Sequence, residues 1–360
     1  MKAIFSPGPS YFDSEVRKFA GWTHILDLYR EGLEELGYEV FVPEVDPKLI
    51  DLASTVSKIL SYDLVAASQL PLDADLFLGP PGYSLAQMMK LKDRSVTTSE
   101  FEAGIGPKLF LYVWNNSDWW RDQQLEEEYK RFGQPYDMSP TWRWINRTAL
   151  ETCDHVIACS PWVKMTHAKV VPEDKISIAF WGVDSQKFSP PEVEPPGFNV
   201  LFVGGDPIRK GLFYLMRALE GMENVELWIA GCSPFHDAHP LVKIRQFGMV
   251  PHSQMLDIMR QCHMLICPTL EDGIALCVQE AMASGLSVIT SPETAEVFEH
   301  METGIKVDYR DTEGIKRALL FLRDNPVQRV SMGKKARALA ETQTWEMTKG
   351  QFKEVIRERA

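Results

Sequence analysis

The chain contains no stretch approaching the ~18 consecutive apolar residues that a membrane span requires. Its start, MKAIFSPGPS, runs from one Lys straight into a short strand-like segment and lacks a signal peptide's long apolar region. Both absences predict a cytoplasmic protein with at most weak peripheral membrane contact. Positive charge is scarce as well: 38 Lys and Arg stand against 50 Asp and Glu, for a net charge of -12. Broad nucleic-acid binding needs a basic face and is not expected. The six cysteines form no C-x2-C pair and sit in apolar runs such as HVIACS and HMLICP, as buried free thiols do. The eight histidines show neither H-x3-H nor H-E-x-x-H spacing, so no zinc site is expected. No G-x-G-x-x-G follows the first strand of either half, which disfavours a Rossmann dehydrogenase.

What the sequence does contain is a steady alternation of short apolar runs with longer helix-period segments, the mark of parallel α/β architecture. KAIFSP reads as the first strand, and THILDLYREGLEELGY places Ile25, Leu28, Leu33 and Leu36 on one helical face. Further strands are expected at EVFVP, 74–79, 108–114, 155–160 and 175–182. SPPEVEPPG (189–197), with four prolines, cannot continue a helix or a central strand and marks a joint. Beyond it NVLFVGG (199–205) opens a second series, with a helix at 211–222, the strand VELWIAG, a strand near KIRQFGMV and a helix at 252–262. HMLICPT and a helix from about 274 to 284 follow. The predicted organisation is a Rossmann-like domain at 1–190, a linker at 191–198, a second Rossmann-like domain at 199–342 and a closing helix at 343–360. Two such halves predict a cleft between them.

The most informative stretch is ICPTLEDGIALCVQEAMASGLSVIT (266–290). A strand ends in a polar loop, and Gly273 is expected where the chain turns into a helix whose free N–H groups suit a diphosphate. Asp272 and Glu280 flank seven residues, so one acid lies in the loop and the other two helical turns in. Carboxylates accept hydrogen bonds from sugar or ribose hydroxyls. Asp272 capping the helix is the alternative reading. In FVGGDPIRKG (202–211) the basic pair Arg209–Lys210 follows a glycine-containing loop, where cations neutralise charge on a departing nucleoside diphosphate.

Together with CDHVIACSPWVK, WGVDSQKF and the late TWEMTKGQF (344–352), these motifs resemble the retaining glycosyltransferases of family 4, glycosyl transferases group 1, which have the GT-B fold. The resemblance runs from about residue 150 to 352 and is faint over the first hundred. It implies an α/β, GT-B architecture, two Rossmann-like domains facing across a cleft. It also implies a retaining transfer of a hexose-type sugar from a UDP- or GDP-sugar to a glycan, lipid-linked or small-molecule acceptor, with no metal and no cofactor. Arg209 and Lys210 are assigned to the donor diphosphate, Asp272 to the transferred sugar and Glu280 to the ribose. Gly204, Gly205, Gly231, Gly273, Ile274, Ala275 and Leu276 would supply backbone contacts.

This chain departs from the family pattern in places. Gly205 and Asp206 stand where the family commonly continues Gly-Arg, and Arg209 is expected to substitute. VWNNSDWWRDQQLEEEY (113–129) has no histidine where the family usually has one, which puts Asp118 or Trp119 at that position. Gly8, Asp118 and Trp119 are the candidates for the acceptor or sugar pocket. A non-catalytic sugar-nucleotide-binding protein and a GT-B sugar-nucleotide epimerase are the alternative functions.

Overall fold

The computed structural model describes residues 1–9, 22–45, 55–92, 106–136, 138–232 and 243–360. They form two parallel six-stranded sheets, one from each half of the chain. In the first, β1 (Lys2–Phe5), β2 (Glu39–Phe41), β3 (Leu76–Gly79), β4 (Lys108–Val113), β5 (His155–Ala158) and β6 (Ile176–Ile178) lie in the order β2-β1-β3-β4-β5-β6. In the second, β7 (Asn199–Val203), β8 (Glu226–Ala230), β9 (Lys243–Gly248), β10 (Met264–Cys267), β11 (Ser287–Thr290) and β12 (Ile305–Lys306) lie in the order β12-β11-β10-β7-β8-β9. β3, β5, β10 and β11 are buried along their whole length. Strands covered on both faces carry no polar alternation, and this is why they stand out in the sequence as apolar runs.

The helix Trp22–Glu35 presents Ile25, Tyr29 and Leu33, all fully buried, at successive turns of one face. The closing helix, Trp345–Arg359, packs on that same helix, with the Phe352 ring stacked on Tyr29 at 4.4 Å. The strand expected at 175–182 spans only Ile176–Ile178. Beyond that point the N–H groups of Phe180 and Gly182 donate to Gln351 Oε1 and Thr348 Oγ1 of the closing helix, at 2.8 and 2.9 Å. The alternate donors still face the sheet, Ala179 N–H to the Ala158 carbonyl and Trp181 N–H to the Cys159 carbonyl, each at 3.0 Å, so the closing helix satisfies the outward donors of this edge segment.

Two other boundaries differ from expectation. The helix read at 252–262 is a single 3-10 turn, His252–Gln254, followed by the helix Met255–Met259. The helix expected from about 274 starts at Leu276, and its N-cap position is Ala275, so Asp272 does not cap it. All six cysteines are free; five are buried and Cys277 is half-buried. No helix among the described residues is long and apolar enough to cross a membrane.

Candidate active site

In the second sheet the chain leaves β7 toward β8 on one side and β10 toward β11 on the other, so the loops after these neighbouring strands diverge. Such a switch point opens a crevice outside the carboxyl ends of the strands. The loop after β7 is shaped by Asp206, whose Oδ1 accepts the N–H groups of Ile208 and Arg209, each at 3.1 Å. This turn aims Arg209 and Lys210 at the loop after β10. The two loops are joined by Leu270 N–H donating to the Arg209 carbonyl at 2.8 Å. Gly211 ends the turn at φ 72°, and a Cβ there would collide with the Pro268 carbonyl, so only glycine lets the loops approach this closely.

Lys210, Arg209 and Asp272 are brought together as one buried charge cluster. Lys210 Nζ donates to Asp272 Oδ2, and Arg209 Nη1 lies 3.9 Å from Asp272 Oδ1. Burial pulls the Lys210 ammonium toward losing its proton, but the Asp272 charge outweighs it and holds its pKa above the ordinary lysine value. Burial likewise pushes the Asp272 carboxyl up, and Lys210 and Arg209 bring it below the usual carboxylate range. The pair is therefore ionised on both sides at neutral pH. Arg209 also donates to the Glu271 carbonyl at 3.0 Å.

Gly273 is not at a helix start. It packs against the first half, where a Cβ would run into the Trp114 carbonyl oxygen, and its own carbonyl accepts from Ser160 Oγ at 2.8 Å. Its N–H donates to the Asp272 carboxylate, so that group is already satisfied. Ile274 and Ala275 are buried, and Leu276 opens the helix Leu276–Ala283 without a side-chain cap. The N–H groups of Gly204 and Gly231 are bonded to the carbonyls of Ala230 and Gly248, at 2.9 and 2.8 Å. Those two donors are therefore already engaged, and Gly205 lies against the Gly231 carbonyl.

Glu280 has other partners. Its Oε1 lies 2.7 Å from His252 Nε2, and His252 Nδ1 lies 3.1 Å from Lys187 Nζ.

The first half supplies the loop after β4. Asn116 Nδ2 donates to Glu271 Oε1 at 3.2 Å, to the Asp272 carbonyl at 2.9 Å and to Glu293 Oε2 at 3.2 Å. Trp120 Nε1 also donates to Glu293 Oε2, at 3.1 Å, and Arg121 Nε lies 3.6 Å from Glu271 Oε2. Tyr129 from the same helix, Asp118–Arg131, donates to Asp206. Next to Asn116 a cavity of about 300 Å³ opens inside the first half, with Tyr83, Trp114, Asp118, Trp119, Trp142 and Asn146 among its walls. Asp118 accepts from Asn146 at 3.3 Å, and burial raises its pKa. The Trp119 indole N–H is taken by the Thr166 carbonyl at 2.9 Å. Gly8 is not part of this wall: it sits behind Tyr83 and Pro80. Residues 10 and 11 of the loop read at 6–11 lie outside the described residues.

Asn116, Arg121, Glu271, Glu293, His252 and Lys187 were not among the residues singled out from the sequence. The one visible signal was NNSD directly after the apolar run of β4, a polar cluster at a strand's carboxyl end.

Residues 197–325 match the family model of glycosyl transferases group 1. The chain is 24% identical over 312 residues to the amylovoran biosynthesis glycosyltransferase AmsK of Erwinia amylovora, covering 80% of this chain and 70% of that protein. The matches to three other curated relatives span 58%, 44% and 38% of their lengths. Among solved structures, sucrose-phosphate synthase from Thermosynechococcus elongatus superposes with a TM-score of 0.75 at 16% identity, covering 99% of each chain. Anabaena HepE in complex with UDP and glucose gives 0.64 at 14% identity, again covering 99% of each chain. The architecture is the GT-B fold.

Proposed function

We propose that this chain, whose residues 197–325 match the family model of glycosyl transferases group 1, moves a hexose-type sugar from a UDP- or GDP-sugar to an acceptor with retention of configuration. The observation that carries the reading is the buried Arg209–Lys210–Asp272 cluster at the crevice of the second sheet. On this reading the diphosphate of the donor takes up Arg209 and Lys210. Asp272, released from Lys210, is then available to a sugar hydroxyl. The likeness to HepE, whose structure contains UDP and glucose, supports a nucleotide sugar as donor.

The acceptor is placed in the first-half cavity, against Trp114, Trp119 and Asp118. Aromatic faces with a carboxylate and an amide suit a sugar ring, which has apolar faces and hydroxyl edges. Retention needs no dedicated base: the departing diphosphate oxygen accepts the acceptor's proton on the face it leaves. The protein then orients both substrates and stabilises the leaving group.

Incubation with a panel of UDP- and GDP-sugars, followed by proton NMR of the product, tests this. An α-linked product from an α-linked donor is expected. A β-linked product would make the enzyme inverting and send the search for a base to Asp118. Tight donor binding with no turnover would favour a non-catalytic sugar-nucleotide-binding protein, and an isomerised donor an epimerase.

The charge on the leaving group is assigned to Arg209 and Lys210, without a divalent metal. Activity is therefore expected to persist in excess chelator. Complete loss that magnesium or manganese reverses would overturn that assignment.

A further inference from the structure

Glu280 is 8% exposed, and the two oxygens of its carboxylate are treated differently. Oε1 is bonded to His252, whereas Oε2 has no partner among the described residues and is not sealed from solvent. His252, 6% exposed, is held in the 3-10 turn His252–Gln254, with its ring 5.5 Å from Phe188 and 6.0 Å from His24. Its other nitrogen, Nδ1, faces the Lys187 ammonium at 3.1 Å. An ammonium only donates, so Nδ1 must be the bare, accepting nitrogen of the ring. The ring hydrogen then sits on Nε2 and is donated to Glu280. Lys187 thus dictates the tautomer, and the tautomer fixes the carboxylate.

We propose that His252 is a positioning residue for Glu280: by anchoring Oε1 through its Nε2–H it turns Oε2 toward the ribose hydroxyls of the bound nucleotide, and Lys187 sets the tautomer that permits this. The proposal rests on the reading of Glu280 as the ribose contact. A carboxylate on a buried helix samples several rotamers unless one oxygen is tied. A tied oxygen leaves the other pre-oriented, so less entropy is lost when a diol binds. Lys187 precedes the proline-rich joint while Glu280 and His252 lie beyond it, so the relay crosses from one half of the chain to the other.

The test is calorimetric binding of UDP, GDP and their 2′-deoxy and 3′-deoxy counterparts to the full chain and to its His252→Phe, His252→Gln, Lys187→Met and Glu280→Gln variants. The wild type is expected to prefer one ribonucleotide over its deoxy forms by about tenfold or more, the worth of one hydrogen bond to a charged group. His252→Phe keeps the ring packing and loses the donor, so its preference should fall close to one. His252→Gln places an amide N–H near the Nε2 position and should restore the preference, while Lys187→Met should weaken it. A preference unchanged in His252→Phe but lost in Glu280→Gln overturns the positioning role and leaves the ribose contact standing. Equal loss in the Phe and Gln variants of His252 also overturns it, since packing would then be the cause. A preference that survives Glu280→Gln, or no binding of either diphosphate to the wild type, sinks the underlying reading instead.

Discussion

Lys210→Ala is expected to lower turnover by roughly 10²–10³-fold, the scale for losing one charge-stabilising contact in a transition state. Charge builds on the diphosphate as the glycosidic bond breaks, and Lys210 is the cation with the least exposure in the crevice, at 8%. A cation in a βα loop contributes little core packing, and on that ground alone its removal should leave the fold intact. The structure changes that expectation. Lys210 is paired with Asp272, itself 8% exposed, and removing one partner of such a pair strands a buried charge. Losses of about 3–5 kcal/mol are typical for fully buried pairs, and Arg209 at 3.9 Å offsets part of this.

Turnover must therefore be measured where circular dichroism shows the variant folded. Lys210→Arg, which keeps the cation, should recover most of the melting temperature and part of the turnover. A folded Lys210→Ala enzyme with near-wild-type turnover would remove Lys210 from the diphosphate site.

The basic pair was legible because it sits where a βα loop must end, between an apolar strand and an amphipathic helix. The strands were legible for a related reason: helices on both faces force them to be apolar throughout. The joint at 189–197 announced itself through prolines. Contacts across the seam were not legible. Asn116 meets Glu293 across 177 positions, and nothing in either local sequence specifies that meeting. It follows from the facing of two sheets, which periodicity does not encode. The helix start at Leu276 was misread for the same reason. Gly273 looks like a helix-initiating glycine, but its role is to let the loop touch Trp114 and Ser160 of the other half. His252 was hidden by local geometry, since a 3-10 turn and a short helix look like one longer helix in the sequence.

Glu293→Gln is expected to raise the melting temperature at alkaline pH by several degrees, with little effect near pH 5. Glu293 is 2% exposed and shares its site with Glu271 and Asp272. Burial, then the Glu271 charge, pushes its pKa from 4.5 up to about 9, even though the Trp120 N–H favours the ionised form. Its Oε2 accepts from both Asn116 and Trp120, which leaves Oε1 as the oxygen available to carry a proton.

The folded carboxyl thus holds its proton at neutral pH, where the unfolded chain has released it. Because the unfolded state binds fewer protons between about pH 4.5 and pH 9, stability falls as pH rises through that window. The slope approaches about 1.4 kcal/mol per pH unit for one proton, which accumulates to the order of a few kcal/mol by pH 8. Glutamine is neutral at every pH and keeps an accepting oxygen for Asn116 and Trp120, so the variant escapes this loss. The quantity to measure is the difference in melting temperature between variant and wild type from pH 5 to pH 9, in which other titrating groups cancel. A difference that widens with pH locates the proton on Glu293. A difference that stays constant with pH would mean that Glu293 is ionised in the folded protein.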